Sequence, residues 1–69
     1  SIAAATPSRV SATDLDSGER ALIAAGALGT FRSAYGMREI ADDGSVVIDA
    51  ACAELLEVSE GDEVWSVAR

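Results

Sequence analysis

The 69-residue sequence contains no lysine, no histidine, no asparagine and no glutamine. Without histidine the commonest general base and the commonest metal ligand are both missing, which argues against autonomous catalysis and against a metal site. Without lysine the cations reduce to five arginines, set against twelve carboxylates for a formal net charge of −7. A chain of that sign repels phosphates, so nucleic acid is not an expected partner. The single cysteine, Cys52, cannot close an internal disulfide and points to a reducing, cytoplasmic setting. The apolar run at residues 1–5 has no cationic flank and stops at Thr6-Pro7, too short for a signal peptide or a membrane span. No membrane partner is expected. The chain opens on Ser1 rather than methionine and reads as a fragment or a processed piece.

Alanine, at fourteen positions, is the conspicuous presence. A chain this short buries only about 60% of its unfolded surface, so its stability is modest unless a partner or a parent chain covers part of it. Pro7 fixes its own φ and keeps Thr6 out of helical geometry, so residues 1–7 read as an extended segment ahead of a single β-rich domain at 8–69.

Within that domain, residues 9–13 form a short strand with Val10 and Ala12 on one side. The turn formers of residues 14–18 connect it to residues 20–25, a short apolar run that suits a buried strand better than a helix. Residues 26–29 read as a turn between strands. From Thr30 to Ala41, Phe31, Ser33, Tyr35, Met37 and Glu39 alternate with Arg32, Ala34, Gly36, Arg38 and Ile40, a long strand with a bulge or bend expected at Gly36. Asp42-Asp43-Gly44 is a tight hairpin turn with Gly44 at positive φ, and residues 45–48 return as the partner strand. Asp49 stands at the N-cap of a short helix over residues 50–57, with Ala51, Leu55 and Val58 expected inward. Gly61, in a left-handed conformation, ends that helix, and residues 63–68 form the last strand. The fold class is mainly β (α+β): a small five-stranded antiparallel barrel-like domain with one short helix.

Several motifs invite a chemical reading and do not sustain one. Asp14-x-Asp16 with Gly18 lacks the glycine and the bidentate glutamate a calcium loop requires, since Ala25 stands at the twelfth position. It reads as an acidic turn. Gly26-x-x-Gly29 has no lysine near it to meet a phosphate and reads as a turn. Cys52 lies among apolar and acidic neighbours, which suits packing rather than a reactive thiol. Ser1 is compatible with self-processing to a pyruvoyl group, but no lysine or histidine supports such a site.

Arg32 and Arg38 share one face of a strand, about 20 Å apart if it is straight. Ion pairing with the carboxylates is the favoured role for Arg9, Arg32 and Arg38, and an interface with a partner domain is the sharper alternative. The three aromatics Phe31, Tyr35 and Trp65 are expected in the core, and any that proves exposed beside apolar neighbours marks a docking surface. The candidate residues are therefore Arg32, Arg38 and Trp65 for an interface, Gly44 and Gly61 for turns, and Asp49 for the helix cap. No residue is expected to be catalytic, to bind a cofactor or to hold a metal.

Two stretches together carry a resemblance. The run Ala21-Leu22-Ile23-Ala24-Ala25 is followed, after a short gap, by Phe31-Arg32 opening a strand. Downstream, Val47-Ile48-Asp49 leads into the helix and then Val58-x-Glu60-Gly61-Asp62-x-Val64. Their order and spacing, with Ser8-Arg9-Val10 upstream, resemble the C-terminal end of arginine N-succinyltransferase. The resemblance runs from about Ser8 to Ala68 and covers a minor part of that longer family. It implies an acyltransferase that moves succinyl from succinyl-CoA to the α-amino group of arginine in arginine catabolism. The catalytic histidine and CoA-binding loop it implies fall outside this region, leaving a non-catalytic C-terminal domain with a structural or assembly role. The implied partners are the rest of the transferase chain, a sister subunit or a homo-oligomer. The capped helix and Glu-Gly-Asp turn also resemble swapped-hairpin (AbrB-like) dimeric modules that bind DNA or act as antitoxins, the alternative function.

Overall fold

Alternation and turn chemistry divide the chain into short strands, and the computed structural model describes residues 7–27 and 30–69 of it. Among these the order is β1 (Ser8–Ala12), β2 (Glu19–Ala27), β3 (Thr30–Ile40), β4 (Val46–Ile48), α1 (Ala50–Leu56) and β5 (Glu63–Ala68). The five strands close into a barrel in the order β1-β4-β3-β2-β5. The mainly β class, the five strands and the single short helix are those expected. One pairing is not antiparallel: β1 runs parallel to β4, with a register shift between Val10 and Ala12.

β2 and β3 form the longest ladder, from Glu19↔Arg38 to Ala27↔Thr30. β5 pairs with β2 as far as Ala24↔Trp65, then leaves it for β1 at Ser8↔Val64 and Arg9↔Glu63. β4 meets β3 only at Arg38↔Ile48, Glu39↔Val47 and Ile40↔Val46. The β2–β3 hairpin therefore runs past its neighbours. Gly26 and Ala27, expected in a turn, are strand residues paired with Phe31 and Thr30; Leu28, Gly29 and Ser1 lie outside the described residues.

The interior is small and aliphatic. Val10, Ile23, Val46, Ile48, Cys52 and Val64 are its largest fully buried side chains, and among the described residues no polar side chain is buried with them. Ala21, Ile23 and Ala25 bring alternate positions of β2 into this core, and Ala34 packs against it from β3. Gly36 pairs with Ala21 without a break in the ladder, so the bulge expected there does not occur. The glycine instead makes room for the helix. A Cβ at Gly36 would stand 2.7 Å from both Asp49 Oδ1 and Cys52 Cβ.

α1 begins where Asp49, at φ −77 and ψ 154, accepts a hydrogen bond from the Cys52 backbone N–H through Oδ2 at 3.1 Å. Its Oδ1 accepts from the Met37 backbone N–H at 2.8 Å, so one carboxylate ties the helix start to β3. These two bonds set the rotation of the helix. Cys52, Ala53 and Leu56 are buried, whereas Ala51 is exposed and Leu55 is 64% exposed. The inward face expected for Ala51 and Leu55 is thus corrected by one residue, about 100° of helix rotation. Val58 is partly buried against the core.

The helix runs to Leu56, one residue short of the expected 50–57, and its C-cap is Glu57, a non-glycine residue with φ 58 whose N–H reaches the Ala53 and Glu54 carbonyls. Gly61, at φ 94, shapes the following turn rather than the helix end. There its N–H donates to the Val10 carbonyl at 2.8 Å, and the Val10 N–H donates to the Asp62 carbonyl at 2.8 Å, stitching β1 to the start of β5. At the β3–β4 turn Gly44 has φ 87 and its N–H donates to the Ala41 carbonyl. The Asp43 carboxylate accepts from the Ser45 hydroxyl and N–H, and these bonds hold its pKa below the ordinary value.

Candidate functional site

Residues one apart on a strand point to opposite faces, and cross-strand partners share a face. β2 therefore turns Arg20, Leu22, Ala24 and Gly26 to the face opposite Ala21, Ile23 and Ala25, although Ala24 is itself fully buried there. Their partners on β3 are Met37, Tyr35, Ser33 and Phe31, and β5 adds Val67 and Trp65 opposite Leu22 and Ala24. None of these side chains is a carboxylate, in a chain that carries twelve. Glu39, two residues beyond Met37, and Glu63, two before Trp65, share the same side and form its rim.

The rings on this face are open to water. Phe31 is 65% and Tyr35 is 57% exposed, while Leu22, Met37, Trp65 and Val67 are half-buried. The expectation that the three aromatics lie in the core is corrected: the barrel interior is filled by Val10, Ile23, Val46, Ile48, Cys52 and Val64, and the rings stand on the other face. Phe31 crosses over Gly26, where a Cβ would stand 3.1 Å from Phe31 Cδ1. The Arg20 guanidinium lies 4.9 Å from the Tyr35 ring centroid, a cation–π contact that keeps the cation on the ring. Given about 200 Å² for such a side chain, the two open rings leave on the order of 250 Å² uncovered. Covering that area stabilises an assembly by roughly 6 kcal/mol before entropic costs, at about 25 cal/mol per Å².

The three residues singled out for an interface do not share a face. Arg32 and Arg38 have the register of Ala34 and Gly36, opposite to that of Trp65. Arg38 is only 14% exposed and plugs one mouth of the barrel, bonded from Nε to Glu19 at 2.8 Å and from a terminal nitrogen to the Ser66 hydroxyl at 2.5 Å. Arg32 pairs with Glu57 beside the helix end at 3.0 Å with both side chains open, a geometry worth at most about 1 kcal/mol. Where β5 leaves β2, a cleft of ≈ 660 Å³ opens between the hairpin arm and the helix end. Arg32, Glu57, Asp62 and Glu63 line it together with Trp65, which stands where the cleft meets the outward face.

Phe31, Tyr35, Leu22 and Arg20 were not singled out as one surface by sequence. The signal was partly present: residues 20–26 and 31–37 hold no carboxylate at all, and the aromatic positions 31 and 35 fall on one face once the two strands are paired across the hairpin.

Nothing else in the described residues assembles a reactive centre. Burial raises the Cys52 thiol from 9.0 to about 11, with the nearby Asp49 charge adding to the shift, so the thiolate is disfavoured. No group of three or more His, Cys, Asp or Glu side chains is placed to hold a metal among the described residues. No described helix is long and apolar enough to cross a membrane. The swapped-hairpin alternative finds no support, because such a module borrows strands from a second copy and this barrel closes within one chain.

Comparison with curated proteins found no match. Among solved structures, the chain is similar to arginine/ornithine succinyltransferase subunit AI from Pseudomonas aeruginosa, with 30% identity and a TM-score of 0.73. The alignment covers 96% of this chain and 20% of that one, so the chain spans a fifth of the solved relative. The family described as the C-terminal domain of the arginine N-succinyltransferase beta subunit matches residues 5–68. The chain belongs to the arginine N-succinyltransferase family, as its C-terminal domain.

Proposed function

We infer that this domain serves a larger acyltransferase without performing its chemistry. The parent enzyme moves a succinyl group from succinyl-CoA to the α-amino group of arginine, in the cytoplasm, and the barrel braces or assembles the part that carries the active site. The observation that carries this reading is the share of chain involved: the match spans nearly all of this sequence but only 20% of the solved succinyltransferase subunit. The residue chemistry supports it. Acyl transfer to an amine needs a base to take its proton and donors for the developing oxyanion, and this chain has no histidine or lysine for the first task. Its charge of −7 also opposes the phosphates of CoA.

The test is a direct assay. The 69-residue chain, given succinyl-CoA and arginine, is expected to form no succinylarginine, while the full-length polypeptide that contains it turns over. Turnover by the short chain alone overturns the reading.

A further inference from the structure

On the reading of this chain as the C-terminal domain of a longer transferase, we propose that the outward face of β2, β3 and β5 is the seat of the preceding part of the same polypeptide. The composition of the face selects an apolar occupant. Twelve carboxylates are distributed over this chain, yet the face holds Phe31, Tyr35, Leu22 and Trp65 with Arg20 as its lone charge. Glu39 and Glu63 stand at its margin, the arrangement of an apolar centre with a polar rim.

Size selects a tethered occupant over a free one. Two strands paired over nine residues and a third over four, at about 4.8 Å spacing and 3.3 Å per residue, give a face of roughly 350 Å². A stable association of free partners buries about 800 Å² on each side, so this face is less than half of what a second copy needs. A segment joined to the domain meets the face at an effective concentration in about the millimolar range, which compensates for the small area.

Chain geometry brings the tether to the right place. The polypeptide ahead of a C-terminal domain enters through β1, and Ser8 pairs with Val64, the neighbour of Trp65. The incoming chain therefore arrives at the edge of the face. The length outside is ample, since four-fifths of the solved relative lies beyond this match. Leu55, 64% exposed on α1, is open too but has no such surroundings, with Glu54 beside it.

The test places benzoylphenylalanine in the full-length polypeptide at position 31, 35 or 55, with irradiation followed by mass mapping of the cross-links. Positions 31 and 35 are expected to cross-link within the same chain, to residues preceding this domain, and position 55 is expected to give none. Two reporter positions on the face keep the test decisive if one substitution impairs folding. Cross-links from 31 and 35 that join two chains, whether a second copy or a different subunit, overturn the proposal. So does the absence of any cross-link from both positions in folded protein, or a link to the preceding chain from 55 alone. Each of these leaves the non-catalytic reading standing, because that reading fails only if the short chain transfers succinyl by itself.

Discussion

The two faces of the β5-β2-β3 sheet are built from adjacent residues and obey opposite rules. Inward, Ala21, Ile23, Ala25, Ala34 and Gly36 are small or aliphatic and pack to closure against α1 and the rest of the barrel. Outward, one residue along each strand, stand Phe31 and Tyr35, the two most open rings of the described chain. Large apolar side chains usually serve the core of a small domain, because it has little interior to spare. Here they are placed outside, which means that the inner face suffices for the barrel and the outer face is available to another surface.

The largest expected effect tests that asymmetry directly. Ile23→Ala removes a fully buried side chain and is expected to cost about 2–5 kcal/mol. A domain of this length has a total stability of roughly 3–10 kcal/mol, so denaturant titration should show the variant largely unfolded or close to it. Phe31→Ala in the same chain should shift stability by no more than about 0.5 kcal/mol. Equal losses from the two substitutions would break the comparison.

Next in size is Gly36→Ala. The added Cβ meets Asp49 and Cys52 at 2.7 Å, and the resulting overpacking is expected to cost about 1–3 kcal/mol. An unchanged thermal midpoint would mean that α1 does not lie against β3 as described.

Smaller effects come from the turns. Gly61→Ala should destabilise by about 1 kcal/mol because an alanine is strained at φ 94. Unchanged stability would place the turn elsewhere. A last effect is absent at neutral pH and appears only in alkali, at Cys52. The thiol of the folded chain titrates at about 11 rather than 9.0, so its neutral form is favoured by folding. Its contribution is fully present below about pH 9 and is lost as pH rises towards 11. A Cys52→Ala variant should lack this part of the alkaline decline, and identical profiles for the two chains would contradict it.

Much of the fold was legible because its signals are local. Asp42-Asp43-Gly44 dictates a turn without reference to anything distant, and Asp49 caps the helix from one residue away. What escaped the sequence depends on long-range packing. The rotation of α1 is set by Asp49 reaching Met37 across 12 positions. Gly36 looked like a bulge because its true reason, the approach of Cys52, lies sixteen positions on. The helix end was read to within one residue, but its left-handed cap at Glu57 was not, because glutamate carries no preference for that region and no residue type announced it. For the surface, alternation along β3 was visible, but which set faces outward is settled only by the partners Ala21, Ile23 and Ala25. Arg32 and Arg38 stood out as rare cations and proved to be paired with carboxylates, while the aromatic residues beside them form the open face.

Burial of the outward face in the longer protein requires that Phe31 and Tyr35 lose their exposure there. Hydroxyl-radical footprinting of the 69-residue chain and of the full-length polypeptide compares the two states residue by residue. Strong labelling of both rings is expected in the short chain and protection of both in the full-length protein, with Leu55 labelled alike in each. Equal labelling of Phe31 and Tyr35 in the two proteins would contradict that burial.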